Sequence, residues 1–329
     1  MKIALIGQAA FGEAVFRALR DAGEQIVAVS SVMGTEARPD PLWAAGEAAG
    51  VPLFATGRLK RPDVLEAYAA TEPDLCVMAF VTHILPDAVL TLPRLGTIQY
   101  HPSLLPLHRG RSAINWAIRD GDATTGLTIF WVDGGIDTGP ILLQRDVPIA
   151  ADATVGSLYF DGLFALGVEA LVEAVRLVRD GGAPRVAQDE SRATYDAPAD
   201  DSNSAIDWMQ PAQTVYDLIR GSNPAPGAHA MLYATQVRLF DARLTLLDNP
   251  MATGGTIATE HGEFPAGPGS ILASEPGRID IALLGGVLHA QRLQRTGGKK
   301  QPAGEFAVEM GIAVGDSFEN GVATVMLGP

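Results

Sequence analysis

Two short motifs in this sequence carry a histidine and an aspartate that could share a reaction. His101 begins the run HPSLLPLH, and Asp137 lies in the glycine-flanked run GGIDTG. An imidazole and a carboxylate brought together from separate loops can perform acid–base chemistry near neutral pH. Each residue alone also has a structural interpretation, His101 as a strand end before Pro102 and Asp137 as a turn residue. Their combination predicts an enzyme.

The elements around the motifs predict a mostly parallel, Rossmann-like α/β sheet. Short apolar runs alternate with helical patterns in the first half of the chain, which is typical of parallel strands joined by crossover helices. Side chains alternate along a strand, so Gln99 and His101 should point to one side and Tyr100 to the other. Ligands bind beyond the carboxyl ends of parallel strands, where His101 should lie. The predicted strands are residues 2–6, 25–30, 75–80, 96–100, 125–131 and 141–147.

Helical patterns complete this first domain. Phe11, Val15, Phe16 and Leu19 recur at helical spacing between the first two strands. A long apolar helix should follow the last strand, with Asp152 and Thr154 as caps at its start and a glycine pair at 181–182 as its end. The catalytic domain is therefore predicted to span residues 1–182.

The second half of the chain has a different composition. Residues 183–204 are rich in Pro, Asp, Ser and Asn and predict an extended linker. Residues 205–329 predict a small OB-like β-barrel domain that begins with a short helix at 214–220. Its predicted strands are 237–247, 255–259, 269–272, 278–284 and 287–292.

The overall composition narrows the classes of function. The 329 residues carry a net charge of −14, which argues against broad electrostatic capture of nucleic acid, although a local basic patch remains open. The single cysteine, Cys76, excludes an intramolecular disulfide and a multi-cysteine zinc site, and it should pack as a small buried hydrophobe. No signal peptide is recognisable, and no run reaches the ~18 apolar residues of a membrane span. The expectation is a soluble, cytoplasmic protein that binds no membrane.

The glycine-containing turn GQAAFG at residues 7–12 follows a strand and opens a helix, so a nucleotide-binding loop must be considered. Its spacing is not G-x-G-x-x-G, and Ser30 and Ser31 stand where an acidic residue would end the second strand. It also lacks the Gly-Lys-Ser/Thr of a phosphate loop. A tight strand-to-helix turn is the preferred interpretation.

The two motifs together resemble the enzymes that use 10-formyltetrahydrofolate as a one-carbon donor. That family, which includes glycinamide ribonucleotide transformylase and methionyl-tRNA formyltransferase, shares a strand end Asn-x-His-Pro-Ser-Leu-Leu-Pro and a later Asp-Thr-Gly loop. The branch most similar to this chain is the N-terminal hydrolase domain of 10-formyltetrahydrofolate dehydrogenase. The resemblance covers essentially the whole chain through the runs SAINW (112–116), IFW (129–131), ATY (193–195), IDWMQP (206–211), IRG (219–221) and PGA (226–228).

The resemblance implies roles for the residues of the site. His101 would stabilise the oxyanion that develops at the formyl carbon and help to protonate the departing folate nitrogen N10. Asp137 would favour the charged imidazole and orient the nucleophile. Ser103, Leu104, Pro106, Arg109 and Gly110 form the signature loop. The folate would bind along two stretches, comprising Phe80, Val81, Thr82, Ile84 and Leu85, then Val132, Asp133, Gly134, Gly135 and Ile136. Phe80, Val81 and Ile84 could alternatively be core residues.

One position departs from the family pattern. Gln99 stands where the family usually has Asn, and it keeps the carboxamide donor on a stem one methylene longer. The hydrolase domain also tolerates a residue other than Asn there. The dehydrogenase's carrier and aldehyde-dehydrogenase domains are not in this sequence, so no NAD(P) chemistry is expected. No metal is expected either.

The acceptor of the formyl group stays open between water and an amine. The cluster His108, Arg109 and Arg111 could hold a folate glutamate tail or an anionic substrate, or could only shape a loop. A second cluster, typical of a solvated face, contains Arg292, Arg295, Lys299 and Lys300. With few clustered cations, tRNA is the weaker prediction, and water or a small amine-bearing substrate is preferred. A non-catalytic folate-binding module, with chemistry blunted by Gln99, is the alternative from another class.

Overall fold

The computed structural model describes residues 1–35, 37–249, 256–259 and 262–320, which form two compact units. The first unit contains Met1–Ala113, Thr124–Pro148 and Tyr159–Ala197. The second contains Ile114–Ala123, Ile149–Leu158 and the described residues after Ala197. The stretch predicted as a linker is thus divided, because residues 183–197 belong to the first unit.

A seven-stranded sheet organises the first unit, with strand order β5-β2-β1-β6-β7-β8-β9. The first five strands in this order run parallel to one another. Strand β8 runs antiparallel to β7, and β9 runs antiparallel to β8. Strands β3 and β4 form a separate antiparallel pair. The strands of this unit are β1 (Lys2–Gly7), β2 (Gln25–Ser31), β3 (Gly34–Thr35), β4 (Arg38–Pro39), β5 (Leu53–Ala55), β6 (Leu75–Ala79), β7 (Thr97–His101), β8 (Thr124–Trp131) and β9 (Ile141–Pro148).

The antiparallel direction of β8 determines the point at which the loop that carries Asp137 begins. Ile98 of β7 lies opposite Trp131 of β8, and His101 lies opposite Thr128. The chain therefore leaves β8 beside the start of β7, where the Val132 amide donates to the Thr97 carbonyl. Asp137 does not follow the carboxyl end of a strand parallel to β7, so the following loop must fold back along β7 to reach His101.

The helices have bounds close to those predicted where their apolar pattern is long. Thr154 caps the predicted long helix through a capping box with Ser157, and that helix contains a π-helical stretch at Leu158–Leu163. Its end at Arg179, followed by Gly181, matches the predicted glycine pair. The α-helices are α1 (Ala9–Asp21), α2 (Pro41–Ala48), α3 (Pro62–Ala69), α4 (Asp87–Leu90), α5 (Ala113–Arg119), α6 (Val155–Ser157), α7 (Phe164–Arg179), α8 (Ala212–Arg220) and α9 (Ala303–Met310).

The core of the first unit lies on both faces of the sheet. The predicted face of α1 is buried, and α7 packs against α1, β8 and β9. Cys76 is fully buried and accepts a hydrogen bond from the Tyr68 hydroxyl. Burial raises the pKa of the Cys76 thiol to about 12, so this side chain packs as the predicted small hydrophobe.

The second unit is built on an antiparallel sheet with strand order β10-β11-β16-β15-β14, which β17 joins beside β16. Helices α8 and α9 bury Val215, Ile219 and Phe306 in its core. Gly255, the first residue of one predicted strand, lies outside the described residues. The strands are β10 (Ala228–Leu232), β11 (Thr235–Leu246), β12 (Thr256–Thr259), β13 (Gly262–Pro265), β14 (Ile271–Glu275), β15 (Arg278–Leu283), β16 (Gly286–Arg295) and β17 (Gln301–Pro302). A mostly parallel α/β unit followed by an antiparallel β unit confirms the predicted fold class.

One helical stretch, Val155–Arg179, is long and apolar enough to cross a membrane by length and composition alone. The expectation that no segment reaches that threshold was therefore wrong. A single such helix is weak evidence, because core helices of soluble proteins pass the same test. Leu171, Ala174 and Val175 on this stretch are buried against the rest of the first unit.

Candidate active site

His101, the last residue of β7, has a buried imidazole with a fixed tautomer. Its Nε2 lies 2.8 Å from the backbone oxygen of His108. A carbonyl only accepts hydrogen bonds, so Nε2 must carry the proton and donate it. Nδ1 is then the nitrogen that can gain or lose a proton, and it faces the Asp137 carboxylate.

Asp137 comes within reach of His101 because its loop folds back along β7. Its Oδ2 lies 3.5 Å from His101 Nδ1 and accepts a hydrogen bond of 2.9 Å from the Gly110 amide. The Asp137 backbone is left-handed, with φ of +56°, a conformation that Asp tolerates better than most residues. The predicted pair of imidazole and carboxylate is thus assembled and buried.

Gln99 supplies the third polar group. It lies two residues before His101 on the same side of β7, and its Nε2 is 3.5 Å from Asp137 Oδ1. Tyr100 points to the other side, where its ring packs against Phe11 at 4.6 Å between centroids. The predicted alternation is confirmed, and an amide donor, a carboxylate and an imidazole converge at one place.

The signature loop after His101 is held by hydrogen bonds to its backbone carbonyls. Ser103 donates from its hydroxyl to the Leu107 carbonyl at 2.6 Å, and Thr128 of β8 donates to the Ser103 carbonyl at 2.7 Å. The Pro106 carbonyl accepts from the Thr194 amide, and Leu104 is half-buried. These residues shape the loop, and Gly110 alone among them touches the Asp137 carboxylate.

Arg109 makes its hydrogen bonds with other side chains of the first unit. Its side chain is fully buried, and its five N–H donors are taken by Gln188, Glu190 and Tyr195. The hydrogen bonds with Glu190 raise the pKa of Arg109 and lower that of Glu190. His108 is likewise buried, with Nδ1 at 2.7 Å from Asp196. Between the two interpretations of this cluster, the structure favours loop shaping for both residues, whereas Arg111 is exposed.

The two stretches expected to hold a folate present exposed apolar side chains beside the site. Phe80, with φ of +60°, is 45% exposed, Ile84 is 93% exposed and Ile136 is 60% exposed. The alternative that Phe80 and Ile84 are core residues was therefore wrong. Val81, Leu85 and Val132 instead pack on the core beneath.

Polar groups lie between these apolar side chains. Asp133 accepts from the Gly135 amide at 3.0 Å and from the Thr138 hydroxyl at 2.6 Å, which closes a small turn that includes Gly134. The Thr82 hydroxyl donates to Gln8 at 3.4 Å. Exposed apolar side chains with polar groups between them suit a flat, polar-edged ring.

A carboxylate of the protein itself binds the turn after β1. The Asp40 carboxylate accepts from the Ala9 amide at 2.7 Å, at the start of α1, and also caps α2. In dinucleotide-binding folds this helix start holds a phosphate. Among the described residues, no three His, Cys, Asp or Glu side chains form a group that could hold a metal ion.

The basic cluster near the C-terminus is mostly engaged with its own unit. Lys300 lies 3.6 Å from the centroid of the Phe240 ring, and burial lowers the pKa of its ammonium group. Arg295 pairs with Glu309 at 3.2 Å, and Arg292 donates to the Lys300 carbonyl. Arg292, Arg295 and Lys299 are exposed, which agrees with the predicted solvated face, whereas Lys300 is half-buried.

Sequence reasoning missed Gln188, which lies in the stretch predicted as a linker. Its Nε2 donates to the carbonyl oxygens of Asp137 at 2.9 Å and Gly139 at 2.7 Å. No periodicity marks this residue, because it lies in an irregular Pro- and Asp-rich segment. The only available signal was the nearby run ATY, which belongs to the family resemblance.

Gly139 offers a test of the loop that carries Asp137. A Cβ at this position would lie 1.7 Å from the Trp131 carbonyl oxygen, so Gly139→Ala must displace the loop. We expect a loss of about 1–3 kcal/mol in unfolding free energy and impaired turnover. Gly182→Ala, outside this loop, is the control, since its Cβ meets nothing within 4 Å. Equal thermal melts and turnover for both variants would contradict the placement of this loop.

Comparison with known families gives two matches that together cover most of the chain. Residues 1–175 match the family described as formyl transferase, and residues 199–310 match the formyl transferase C-terminal domain. Cytosolic 10-formyltetrahydrofolate dehydrogenase of Xenopus laevis is 39% identical over 311 residues, which are 93% of this chain and 34% of that protein. The chain thus spans about a third of the length of these curated relatives.

A relative of similar length and two solved structures extend the comparison. Methionyl-tRNA formyltransferase of Geotalea uraniireducens is 32% identical over 321 residues, covering 96% of this chain and 97% of that protein. HypX from Aquifex aeolicus in complex with tetrahydrofolic acid has a TM-score of 0.67 at 20% identity, covering 96% of this chain and 48% of its own. An N-formyltransferase from Helicobacter canadensis has a TM-score of 0.64 at 14% identity, and the match covers 88% of this chain and 99% of that protein's chain. At these identities the two structures show a shared fold.

Proposed function

Since this chain belongs to the formyl transferase family, we propose that it removes the formyl group of 10-formyltetrahydrofolate and passes it to water. The products are tetrahydrofolate and formate. The observation that carries the proposal is the buried pair of His101 Nδ1 and Asp137 Oδ2, 3.5 Å apart, with the Gln99 amide beside it. That set of groups fits a formyl carbon attacked by a nucleophile.

Each side chain has a step to perform. The Gly110 amide positions the Asp137 carboxyl group, whose remaining lone pairs can accept a proton from the attacking water. The protonated His101 and the Gln99 amide would stabilise the developing oxyanion. As the bond from carbon to N10 breaks, N10 takes the proton from His101 Nδ1, since Nε2 stays bound to the His108 carbonyl. Asp137 then passes the proton that it took from water to His101 Nδ1, and the formic acid loses its remaining proton to solvent and leaves as formate.

The folate binds, in this proposal, between the apolar side chains that the two loops expose. Phe80, Ile84 and Ile136 supply the contacts to a flat ring, and the backbone of residues 132–137 supplies its hydrogen bonds. Burying such apolar side chains contributes about 25 cal/mol per Å². A ligand that covers them would gain this contribution.

The charges around the site support water as the acceptor. A tRNA or a phosphate-bearing amine needs cations that release counterions from its phosphates. Arg109 and His108, which follow His101 along the chain, are instead buried and paired with Glu190 and Asp196. The similarity to 10-formyltetrahydrofolate dehydrogenase supports the same choice. Transfer to an amine is the second candidate, favoured by the methionyl-tRNA formyltransferase of similar length.

The experiment that separates these acceptors is a product assay. The protein is incubated with 10-formyltetrahydrofolate alone, with a small amine sugar, and with charged methionyl-tRNA, and both formate and formylated amine are quantified. We expect formate without any amine and no formylation of methionyl-tRNA. Efficient formylation of methionyl-tRNA would overturn the proposal. Binding without any product would favour the non-catalytic folate module.

Gln99→Asn tests whether the carboxamide is the useful part of this side chain. The shorter stem keeps the donor, so we expect turnover within about tenfold of wild type, the scale of one hydrogen bond. Gln99→Leu removes the donor at similar volume and should lose more. The kcat of both variants for folate release gives the comparison, and equal losses would assign Gln99 a packing role.

Dinucleotide binding should be absent. The Ala9 amide at the start of α1 is taken by Asp40, whose negative charge opposes a phosphate there. Calorimetric titration with NAD and NADP is the measurement, with tetrahydrofolate as the positive control. Submicromolar binding of either dinucleotide would contradict this interpretation of the turn.

A further inference from the structure

We propose that Gln188 is a positioning residue, which holds the loop of Asp137 in the conformation that the formyl-transfer reaction needs. The proposal rests on the proposed function only in taking Asp137 as catalytic, whichever acceptor is used. Gln188 lies in a segment without strand or α-helix that belongs to the first unit.

The need for such a residue follows from the sheet. Strand β8 runs antiparallel to β7, so the loop after it starts beside Thr97 rather than beside His101. The strands themselves therefore do not bring Asp137 to the histidine. The loop also places Asp137 in a left-handed conformation, which surrounding contacts must maintain.

Gln188 supplies contacts of this kind to two backbone carbonyls of the loop, which lie on either side of Thr138. Its amide nitrogen donates to the Asp137 carbonyl at 2.9 Å and to the Gly139 carbonyl at 2.7 Å. The Gly110 amide holds the carboxylate of the same residue at 2.9 Å. Backbone and side chain of Asp137 are thus fixed from separate segments, without a direct contact between Gln188 and the carboxylate.

Arg109 fixes which end of the Gln188 amide faces the loop. Its guanidinium donates to Gln188 Oε1 from Nε at 3.2 Å and from Nη2 at 2.8 Å. A guanidinium has no acceptor, so the Gln188 oxygen must face Arg109 and the nitrogen must face the two carbonyls. The buried arginine therefore orients the glutamine rather than a ligand.

The same segment also holds the histidine side of the pair. Thr194 accepts from the His108 amide at 2.7 Å, and Asp196 binds His108 Nδ1 at 2.7 Å. The His108 carbonyl in turn accepts from His101 Nε2 at 2.8 Å. Residues 188–196 consequently contact the immediate neighbours of both reacting side chains.

The test is a double-mutant cycle with Asp137. Gln188→Glu keeps an oxygen for Arg109 but presents a second oxygen to the two carbonyls, so the loop loses its donor while the buried arginine keeps its partner. We expect kcat to fall about 10- to 100-fold, the cost of misplacing a reacting group, with KM for 10-formyltetrahydrofolate changed far less. In the Asp137→Asn background, the same substitution should change kcat by less than about threefold, because the positioned group is already lost.

A general effect of Gln188→Glu on folding would lower kcat equally in the wild-type and Asp137→Asn backgrounds. If Gln188→Glu lowers kcat by the same factor in both backgrounds, or raises KM without lowering kcat, the proposal is wrong. Gln188→Leu is the second variant, and Gln294→Leu is the matched control, since Gln294 also donates from its amide to a backbone carbonyl, that of Gly298, but in the second unit. The cycle measures formation of whichever product the wild-type protein forms. If that product is a formylated amine, the proposed acceptor is wrong, but the test of Gln188 still applies.

Discussion

Replacing His101 by alanine should lower the rate of tetrahydrofolate release by about 10²–10⁴-fold, the usual scale for removal of an acid–base or oxyanion-stabilising group. Nε2 of this imidazole donates a hydrogen bond to the His108 carbonyl, which fixes the orientation of the ring. Nδ1 is then the nitrogen that exchanges a proton in the reaction. Single-turnover kinetics with saturating 10-formyltetrahydrofolate measures the loss. Binding of the folate should change much less.

His289→Ala is the matched control for this substitution. His289 pairs with Asp280 at 2.7 Å on the sheet of the second unit, so the control removes the same chemical group from a pair of the same type. It should leave turnover within about threefold of wild type. A His101→Ala variant that is folded and nearly as fast as wild type would contradict the mechanism.

Asp137→Asn should produce a loss of similar size, about 10²–10⁴-fold in kcat. The isosteric amide keeps an oxygen for the Gly110 amide, which preserves the loop, but it removes the negative charge that faces His101 Nδ1 and the base that accepts the proton of the attacking water. Near-ultraviolet circular dichroism should therefore match that of wild type while turnover does not.

Asp133→Asn is the control in the same loop. Asp133 is exposed and accepts from the Gly135 amide and the Thr138 hydroxyl, without contact to His101. A larger loss of turnover for this variant than for Asp137→Asn would show that loop order, rather than the Asp137 carboxylate, limits the reaction.

The parts of this protein that could be predicted from sequence are those with local signals. The strand that ends at His101 is bounded by Pro102, and the alternation of Gln99 and His101 follows from strand geometry alone. The helix that begins after Thr154 was predicted from its capping residue. Strand β5 and helix α9 are short and lacked such signals, so both were missed.

The rest depended on contacts between distant segments. Whether β8 runs parallel or antiparallel to β7 is not encoded in its own residues, so the return path of the Asp137 loop could not be predicted. A cation next to a catalytic motif predicts an anion site as readily as a buried pair. The role of Arg109 is decided by its contacts with Gln188, Glu190 and Tyr195, which are distant in the sequence. An irregular segment rich in Pro and Asp has no periodicity, so its packing beside the site was invisible.

The central claim is that water accepts the formyl group, and water labelled with heavy oxygen tests it most directly. The protein is incubated in labelled water with 10-formyltetrahydrofolate and no amine, and the formate is analysed by mass spectrometry, with His101→Ala as the blank. We predict one labelled oxygen per formate, released in step with tetrahydrofolate. Formate at no more than the His101→Ala level, with the formyl group recovered instead on an added amine or methionyl-tRNA, would contradict the account.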